Sequence, residues 1–228
     1  MGPVIALLDG ERDWGEFFCL VEESQRPRLE EKRGRAARQS RGAYLLARWL
    51  LEENGLCALR LDRSPLGQPL LREADGSLSG WGLSLAHTGG ACACALHRGR
   101  VGLDLEPPGR CRPAVARRMF SPVEQAALTG PGPDTAFTRL WTLREALAKY
   151  SGQGLARMPQ AEFLLEGEGR CSREELRCRS WQEGGWWLGC CWEGEAPAPD
   201  PVRVCPLSQL EEWCRTRREH LASGTFSW

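Results

Sequence analysis

Residues 101–110 read VGLDLEPPGR, an apolar run that carries two carboxylates, Asp104 and Glu106, and ends at Pro-Pro-Gly. The run predicts a β-strand that stops there, because a proline pair cannot continue a sheet. Side chains two positions apart on a strand point to the same face, so Asp104 and Glu106 are expected to project side by side. Like charges at that distance repel each other. The strand end is therefore expected to meet a cationic group.

A helix is predicted further along the chain, where residues 141–155 read WTLREALAKYSGQGL. Trp141, Glu145 and Lys149 follow one another at intervals of four and share one helix face, with Arg144 beside them. Taken alone, Glu145 and Lys149 would form an ordinary ion pair worth roughly 0.2–0.5 kcal/mol. The chain has 28 arginines and only two lysines. Because the two residue types are not interchangeable where a compact charge is needed, a specific role is predicted for Lys149.

The strand and the helix together supply groups that suit Mg²⁺ and a phosphate ester. Magnesium is a hard cation that takes oxygen ligands, usually a few carboxylates completed by water and substrate oxygens. Nearby cations would neutralise phosphate oxygens and the charge that develops on a leaving group. The predicted metal ligands are Asp104, Glu106 and Glu145, and the predicted phosphate-side residues are Arg144, Lys149 and His87.

Two successive patterns, each a helix followed by strands, organise the chain. Residues 26–54 predict a helix that ends at Asn54-Gly55, and WGLSLAH, ACACALHRGR and VGLDLE then predict consecutive strands of one sheet. The chain next turns helical and returns to strands at WWLGCCWEGE and VRVC. We predict an α+β fold of two similar α/β lobes related by a pseudo-two-fold duplication, with a ligand cleft between them. The expected boundaries are 1–108 for the N-terminal lobe, 109–215 for the C-terminal lobe and 216–228 for a tail.

Composition excludes several classes of protein. The 228 residues are 42% hydrophobic, which is enough for a sizeable core, and no apolar stretch is long enough for a membrane span. The opening MGPVIALLDG lacks the basic segment and the long apolar run of a signal peptide, so a cytoplasmic protein is expected. Nucleic-acid binding is not expected, because the formal net charge is zero and the ten tryptophans are not interleaved with the basic residues.

The eleven cysteines do not predict a disulfide framework. Their number is odd, no Cys-x-x-Cys pair occurs, and the two close pairs, Cys92-x-Cys94 and Cys190-Cys191, lie in apolar strand-like runs. We expect these four residues to be reduced and buried as small hydrophobic side chains. Zinc ligation is the alternative.

Residues 26–48 form a strongly basic stretch, with eight basic residues against two acidic ones. Such an excess suits a polyanionic ligand or an acidic partner protein. The alternative is a solvated helix face in an arginine-rich protein, and the sequence favours neither.

Three segments together resemble the signature of the 4′-phosphopantetheinyl transferases. They are VGLDLE at 101–106, FSPVE at 120–124 and WTLREALAKYSGQGL at 141–155. The family pattern is a G-I/V-D-x-E strand followed by F-S-x-x-E and W-x-x-K-E-A-x-x-K helices. SLAHTGG is similar to the family's S-H-S turn, and LGQPLL is more weakly similar to its G-K-P segment. The length fits the larger, two-lobed and monomeric surfactin-synthetase-activating type rather than the trimeric holo-acyl-carrier-protein synthases of half this length.

The resemblance implies an activity. The 4′-phosphopantetheine group of coenzyme A would pass to a serine of an acyl or peptidyl carrier protein, in a Mg²⁺-dependent reaction that releases adenosine 3′,5′-bisphosphate. The implied metal ligands are Asp104, Glu106 and Glu145. Lys149 would contact the phosphate near the transferred group, and His87 would contact the nucleotide phosphates. Glu124 matches a glutamate proposed to help deprotonate the acceptor.

The chain departs from the family pattern in three places. Arg144 stands for the usual lysine beside the metal glutamate, and Gln68 stands where G-K-P places a lysine near the 3′-phosphate. Ala86 and Thr88 replace the two serines of S-H-S. These changes affect the expected tightness of nucleotide binding rather than the chemistry. Ser40, in the basic stretch, is a further candidate for a phosphate contact.

Alternatives remain for two residues and for the whole protein. Ser121-Pro122-x-Glu124 is also a helix-capping signature, so Glu124 is predicted either as a base or as a cap. A lone histidine is more often structural, but His87 precedes Gly89-Gly90, a turn able to approach a phosphate. The alternative functions are a non-catalytic module that binds a carrier protein and a metal-dependent phosphoesterase.

Overall fold

The computed structural model describes residues 2–157, 160–167, 170–173, 175–195, 199 and 202–225, and the structural statements below refer to these ranges. The end of the predicted tail, residues 226–228, lies outside the described residues, as does most of the loop EAPAPDP.

The first half of the chain builds a sheet and covers it with a long helix. Strand β1 (Val4–Asp9) is followed by 3₁₀ turns at Gly15–Leu20 and Glu23–Gln25, helix α1 (Arg26–Glu30) and helix α2 (Gly34–Glu53). A hairpin of β2 (Arg60–Arg63) and β3 (Pro69–Arg72) leads to β4 (Trp81–Thr88) and β5 (Ala91–Arg98). Strand β5 pairs antiparallel with both β1 and β4. The predicted helix end is confirmed, because Asn54 caps α2 and Gly55 follows with φ +70°.

The second half repeats this plan. Strand β6 (Val101–Glu106) is followed by helices α3 (Pro113–Met119), α4 (Pro122–Ala126) and α5 (Pro133–Ser151), and a 3₁₀ turn at Leu155–Arg157. The short strands β7 (Phe163–Leu164) and β8 (Arg170–Cys171) precede β9 (Leu176–Glu183) and β10 (Trp186–Glu193). Strand β10 pairs antiparallel with both β6 and β9. Helix α5 ends at Gly152, whose φ of +69° is a conformation that glycine adopts without steric cost.

Strand alternation sorts the core into layers. The facing sides of the two sheets share one buried cluster, which includes Ile5, Ala93, Leu103 and Cys190. The other side of the first sheet packs under α2, and the other side of the second sheet packs under α5. The layer order is therefore α2, first sheet, second sheet, α5. Cys92, Cys94, Cys190 and Cys191 are buried and unpaired in these layers, as predicted.

Helix α5 lies directly on β6 because that strand carries a glycine at the contact. A Cβ atom at Gly102 would lie 1.9 Å from the carbonyl oxygen of Ala146 and 2.5 Å from the amide nitrogen of Tyr150. Asp104 and Glu106 follow Gly102 on the same face of the strand. The glycine thus brings the helix close enough for its side chains to reach both carboxylates.

The prediction that VGLDLE continues the sheet of WGLSLAH and ACACALHRGR is wrong. Strand β6 belongs to the second sheet, beside β10, because β1 and β4 already occupy both edges of β5. A side-chain hydrogen bond still connects β6 to the first sheet, since the Leu103 amide donates to Ser84 Oγ at 2.9 Å. Sheet membership thus changes between Arg98 and Val101, ahead of the boundary that was expected at residue 108.

The end of the described chain returns to the first sheet. Strand β11 (Arg203–Val204) pairs parallel with β1, and helix α6 (Leu207–Ala222) packs against the 3₁₀ turn Gly15–Leu20. The segment expected as a tail from residue 216 is thus, up to Ala222, the second part of α6. No helix in the described ranges is long and apolar enough to span a membrane. The α+β class is confirmed, with one helix–sheet unit in each half.

Candidate functional site

Strand β6 and helix α5 bring the predicted carboxylates and the predicted lysine together. Asp104 Oδ1 accepts a hydrogen bond from Lys149 Nζ at 2.7 Å. Glu106 Oε1 accepts one from Trp141 Nε1 at 3.2 Å. Both carboxylates therefore face α5, as the strand period predicts, and Lys149 is the cationic group that the strand end was expected to meet.

Asp104, Glu106 and Glu145 form what we call the carboxylate face. Burial raises the pKa of Glu106, and the charge of Asp104 raises it further. Burial is also the first cause of the raised pKa of Glu145, followed by the charge of Asp104, while Lys149 acts in the opposite direction. Asp104 Oδ2 is buried and has no hydrogen-bond partner. The carboxylate face therefore holds more negative charge than Lys149 alone balances.

These side chains fit a magnesium ion in their chemistry. The donors are all carboxylate oxygens, one oxygen is buried without a partner, and a divalent cation would relieve the repulsion that raises the two glutamate pKa values. Within the described ranges, no three His, Cys, Asp or Glu side chains are grouped closely enough to surround a metal ion. The carboxylate face is therefore a donor set for a hard cation rather than a closed cage.

A cavity of about 420 Å³ opens beside Lys149 and Glu145 and is lined by both halves of the chain. From the first half it receives three cations, which we call the cationic wall: Arg28, Lys32 and Arg63. The residues predicted from the sequence that line this cavity are Ser40, Gln68, His87, Glu145 and Lys149. With four cationic side chains against one carboxylate, the cavity suits a polyanion.

Electrostatics inside the cavity confirm that positive charge is in excess there. Burial lowers the pKa of Lys32, and the charges of Arg28 and Arg63 lower it further. Burial, followed by the charge of Arg28, lowers the pKa of Arg63 to about 10. Partial burial, followed by the charges of Lys32 and Lys149, lowers the pKa of His87 to about 4, although its side chain is open to solvent. A bound anion would relieve each of these unfavourable interactions.

Polar contacts connect the elements that line the cavity. Lys32 Nζ donates to Ser40 Oγ at 2.5 Å, and His87 Nε2 lies 3.5 Å from the same hydroxyl oxygen. Gln68 Nε2 donates to the carbonyl oxygen of Lys149 at 3.2 Å. Gln68 therefore joins the β2–β3 hairpin to the end of α5 and closes one side of the cavity.

Two residues predicted to bind the nucleotide do not line this cavity. Ala86 is buried in the cluster between the sheets, because neighbouring residues of a strand face opposite sides and His87 takes the cavity side. Arg144 is buried in an ion pair with Glu124, and its guanidinium lies 5.3 Å from the centre of the Phe163 ring. The family-pattern departures at these positions therefore lie outside the cavity.

For Glu124 the structure shows the capping arrangement. Its side chain accepts from the Ser121 amide at 2.8 Å, and its own amide donates to Ser121 Oγ at 3.3 Å, which completes a capping box. The second carboxylate oxygen accepts from the Phe163 amide at 2.8 Å. The residue is fully buried, and both of its oxygens are engaged. This geometry supports the cap and gives no support to the base.

The basic stretch at residues 26–48 divides among several roles. Arg28 and Lys32 line the cavity, which fits a polyanionic ligand. Arg35 and Arg38 lie within ion-pair distance of Glu11, as expected for a solvated helix face. Arg48 is buried against Glu22. The solvated face is therefore found at Arg35 and Arg38, whereas binding of a polyanionic ligand by Arg28 and Lys32 stays a prediction.

Two cations near the site were not predicted from the sequence. Arg63 lies outside the basic stretch and reaches the cavity only because β2 folds beside α1. Arg112 follows the Pro-Pro-Gly break, lies 5.2 Å from the centre of the Trp141 ring and lowers the pKa of Glu106. The signal available for Arg112 was its position shortly after Glu106 in the sequence. The sequence does not show how the chain turns after Pro-Pro-Gly, so the position of Arg112 beside Glu106 and Trp141 could not be predicted.

A second, more open groove of about 1040 Å³ adjoins the other side of Trp141. Its lining combines apolar residues of the α3–α4 region with the 3₁₀ turn after α5, and includes Val115, Met119, Phe120, Trp141 and Leu155. Trp141 therefore both lines this groove and donates a hydrogen bond to Glu106.

The segment that carries the carboxylate face matches a known family. Residues 100–191 match the model of the 4′-phosphopantetheinyl transferase superfamily. The matched segment includes β6, α5, Asp104, Glu145 and Lys149.

Two relatives bear the corresponding name. A 4′-phosphopantetheinyl transferase of Bacillus subtilis is 31% identical over 96 residues, which cover 40% of this chain and 42% of that protein. The 4′-phosphopantetheinyl transferase HetI of Nostoc sp. is 32% identical over 114 residues, or 47% of each chain. The matched stretch thus spans less than half the length of either relative, and both relatives carry the name of a transferase.

Proposed function

We propose that this protein transfers 4′-phosphopantetheine from coenzyme A to a serine of an acyl or peptidyl carrier protein, in a Mg²⁺-dependent reaction. The observation that carries the proposal is the position of Lys149 and Glu145. Both line the polyanion cavity and both adjoin Asp104, so one helix joins a phosphate-binding space to a cation-binding set of carboxylates. The superfamily match over residues 100–191 and the names of the relatives support the same activity.

Coenzyme A carries its phosphates at the nucleotide end, and the cavity offers a matching distribution of charge. The cationic wall would bind the 3′-phosphate and the pyrophosphate, since charge-assisted hydrogen bonds to phosphate are the strongest that side chains make. His87, neutral at pH 7 because of its lowered pKa, would donate or accept a hydrogen bond there. Gln68, in place of a family lysine, would contribute a neutral contact.

Asp104, Glu106 and Glu145 would hold the magnesium ion. When bound, the ion would supply positive charge that neutralises the pyrophosphate oxygens and the leaving group. Lys149, held by Asp104 at the cavity, would keep its ammonium group beside the phosphate that is transferred.

The proposed reaction is a single phosphoryl-group transfer. The serine oxygen of the carrier protein attacks the β-phosphorus of coenzyme A, and the bond from that phosphorus to the bridging oxygen breaks. The serine proton passes to solvent as the new oxygen–phosphorus bond forms, and adenosine 3′,5′-bisphosphate leaves with the bridging oxygen. Water exclusion matters for this outcome, because water in place of serine would turn transfer into hydrolysis.

The carrier protein is proposed to approach from the groove beside Trp141. The exposed Arg118 lines that groove, and the exposed Arg112 lies 5.2 Å from the centre of the Trp141 ring. Positive charge around an apolar groove suits a partner with an acidic, amphipathic surface. We further propose that the two halves arose by duplication and form the larger, two-lobed and monomeric type, which the shared order of elements supports.

Intact-protein mass spectrometry tests the activity. A panel of apo carrier proteins is incubated with this protein, coenzyme A and Mg²⁺, with a metal-free control. The expected result is the gain of one phosphopantetheine group on a carrier, dependent on metal. Coenzyme A binding without any modified carrier would point to a non-catalytic module. Release of adenosine 3′,5′-bisphosphate without a modified carrier would point to a phosphoesterase.

A further inference from the structure

Glu22 and Arg48 form a buried ion pair behind the cationic wall, outside the cavity. Glu22 is 7% exposed and Arg48 is 1% exposed, and Arg48 Nη1 lies 3.1 Å from Glu22 Oε1. Burial raises the pKa of Glu22 and lowers the pKa of Arg48, so both charges are held in an environment that disfavours them. An apolar pair of similar volume is often at least as stable as a buried ion pair, so stability alone does not account for this pair. Its hydrogen bonds show which segments it holds in place.

One end of the pair holds the strand that carries Arg63. The Leu61 amide donates to Glu22 Oε1 and Oε2, at 3.1 Å each. Arg48 also donates to the carbonyl oxygens of Leu59, at 2.7 Å, and Cys57, at 3.1 Å. The ion pair therefore fixes the chain as it enters β2, two residues before Arg63.

The other end holds the segment that leads to Arg28. The Glu22 amide donates to the hydroxyl oxygen of Tyr44, on α2, at 3.0 Å. Three residues later, Gln25 Oε1 accepts from Arg63 Nε at 3.2 Å, and α1, which carries Arg28, begins at the next residue. Glu22 thus lies where α1, α2 and β2 meet.

We infer that Glu22 and Arg48 are positioning residues that hold α1, α2 and β2 together so that the cationic wall converges on a single phosphate-bearing ligand. The identification of that ligand with the nucleotide end of coenzyme A rests on the proposed function. The positioning itself rests on the contacts of the pair. Neither residue lines the cavity, so a change at either would act on the ligand through the elements that the pair holds, chiefly through Arg28, Lys32 and Arg63.

The first arm of the test is amide hydrogen exchange on the full chain. Glu22→Gln keeps the shape of the side chain and removes its charge, and is expected to speed exchange in segments 22–30 and 59–63. Glu124→Gln makes the same change in the buried pair of the second half, and is expected to speed exchange around Ser121 and Phe163 instead. Equal acceleration of both regions in either variant would overturn the inference.

The second arm is calorimetric titration with inorganic pyrophosphate and with adenosine 3′,5′-bisphosphate. Glu22→Gln is expected to raise Kd roughly tenfold or more, since a displacement of about 1 Å in a binding group has effects of this size or greater. Leu210→Ala is the control for lost stability, because it truncates a fully buried side chain of α6, a helix that contributes no residue to the cavity lining. Its Kd is expected to stay within about twofold of wild type.

Tyr44→Phe keeps the test decisive if Glu22→Gln does not fold. It removes one hydroxyl and is expected to raise Kd a few fold and to speed exchange in segment 22–30. An unchanged Kd in Tyr44→Phe, or an equal rise in Leu210→Ala and Glu22→Gln, would overturn the inference. Wild-type protein that binds neither anion would overturn it as well. Wild-type protein that binds pyrophosphate but modifies no carrier would refute the proposed function and leave the positioning inference standing.

Discussion

The two halves of the chain share a scaffold and differ in the charge that they present to the cavity. Each half lays a long helix on an antiparallel sheet, and each helix buries an arginine against a preceding glutamate: Arg48 with Glu22, and Arg144 with Glu124. In each half that glutamate also accepts a backbone N–H from the chain beyond the helix. The first half then places three cations at the cavity, whereas the second half places Glu145 there, with Asp104 beside it.

This difference shows how one scaffold serves two tasks. The repeated glutamate–arginine pair fixes the chain around each helix without touching the cavity. The side chains at or beside it differ between the halves: they are cations that suit a polyanion in the first half, and carboxylates that suit a hard cation in the second. Lys149 is the exception, because it is a cation on the carboxylate side, and its hydrogen bond to Asp104 places it at the junction.

The largest effect is expected from Asp104→Asn, which removes one charge from the carboxylate face in the second half. The transfer rate should fall by about 10²–10³-fold or more, because charge stabilisation at the reacting phosphate is lost. The melting temperature should change little, because weakening the Lys149 ion pair is offset by removing one of three mutually repelling charges. Steady-state transfer assays and calorimetry measure the two quantities. Glu193→Gln, at an exposed carboxylate paired with Arg100, is the control, and an undiminished rate in Asp104→Asn would exclude the carboxylate face from the reaction.

A lysine-to-arginine exchange in each half sharpens the comparison. Lys149→Arg should lower the transfer rate roughly 10- to 100-fold, because the larger planar group cannot keep the compact charge at the same point. Lys32→Arg should be well tolerated, because the cationic wall already contains two arginines. Rates measured at saturating coenzyme A decide between them, and equal tolerance of both exchanges would mean that charge alone matters at Lys149.

Arg63→Gln tests the task of the first half. Loss of one charge-assisted hydrogen bond, worth about 1.5–3 kcal/mol, should raise the KM for coenzyme A about tenfold or more and leave kcat nearly unchanged. The exposed Arg33, outside the cavity, provides the control Arg33→Gln. A fall in kcat with an unchanged KM would place Arg63 at the reacting phosphate and contradict the division of tasks.

The packing of each helix on its sheet predicts unequal costs for two glycine substitutions. Gly102→Ala should destabilise the protein by about 3 kcal/mol, because the new Cβ would overlap backbone atoms of α5. Gly42→Ala should cost less than Gly102→Ala, because its Cβ would meet the Trp14 side chain at 2.8 Å rather than backbone atoms, and alanine favours the helix. Denaturant unfolding measures both, and similar losses would contradict the closer contact of α5.

The smallest effect concerns the protonation of His87. Its pKa should lie near 4 in the ligand-free protein, and should rise when adenosine 3′,5′-bisphosphate offsets the charges of Lys32 and Lys149. Because the folded pKa is below the ordinary value of about 6.5, the folded state binds fewer protons than the unfolded state between these two pH values. The stability contribution is therefore present above pH 6.5 and is lost as the pH falls towards 4. NMR titration of the imidazole measures the pKa, and a ligand-free value near 6.5 would contradict the cavity electrostatics.

The sequence predicted the features that depend on short-range periodicity, namely which side chains share one face of a strand or a helix. The common face of Asp104 and Glu106 follows from the two-residue period of a strand, and the shared face of Trp141, Glu145 and Lys149 follows from the turn of a helix. The four-residue signature at Ser121 predicted the capping box, with the base role of Glu124 as the open alternative.

Strand pairings and ion pairs between residues that are distant in the sequence could not be predicted in the same way. Strand β6 was assigned to the wrong sheet because its partner β10 lies about 80 residues later, and sequence order gives no sign that both edges of β5 are occupied. The buried pairs of Arg48 and Arg144 were missed for the same reason, since each guanidinium meets a glutamate at least 20 residues away. The cationic wall was visible as an excess of charge, but which residues form it depends on how β2 folds beside α1.

The division of tasks between the halves is tested most directly by titrating coenzyme A into Asp104→Asn and Arg63→Gln and assaying transfer in the same samples at saturating coenzyme A. We predict that Asp104→Asn binds coenzyme A in the absence of metal as wild type does, yet transfers the group to the carrier protein at least about 10²-fold more slowly. We predict that Arg63→Gln binds it about tenfold or more weakly, yet modifies the carrier at nearly the wild-type rate once saturated. Parallel losses of binding and transfer in both variants would contradict the account.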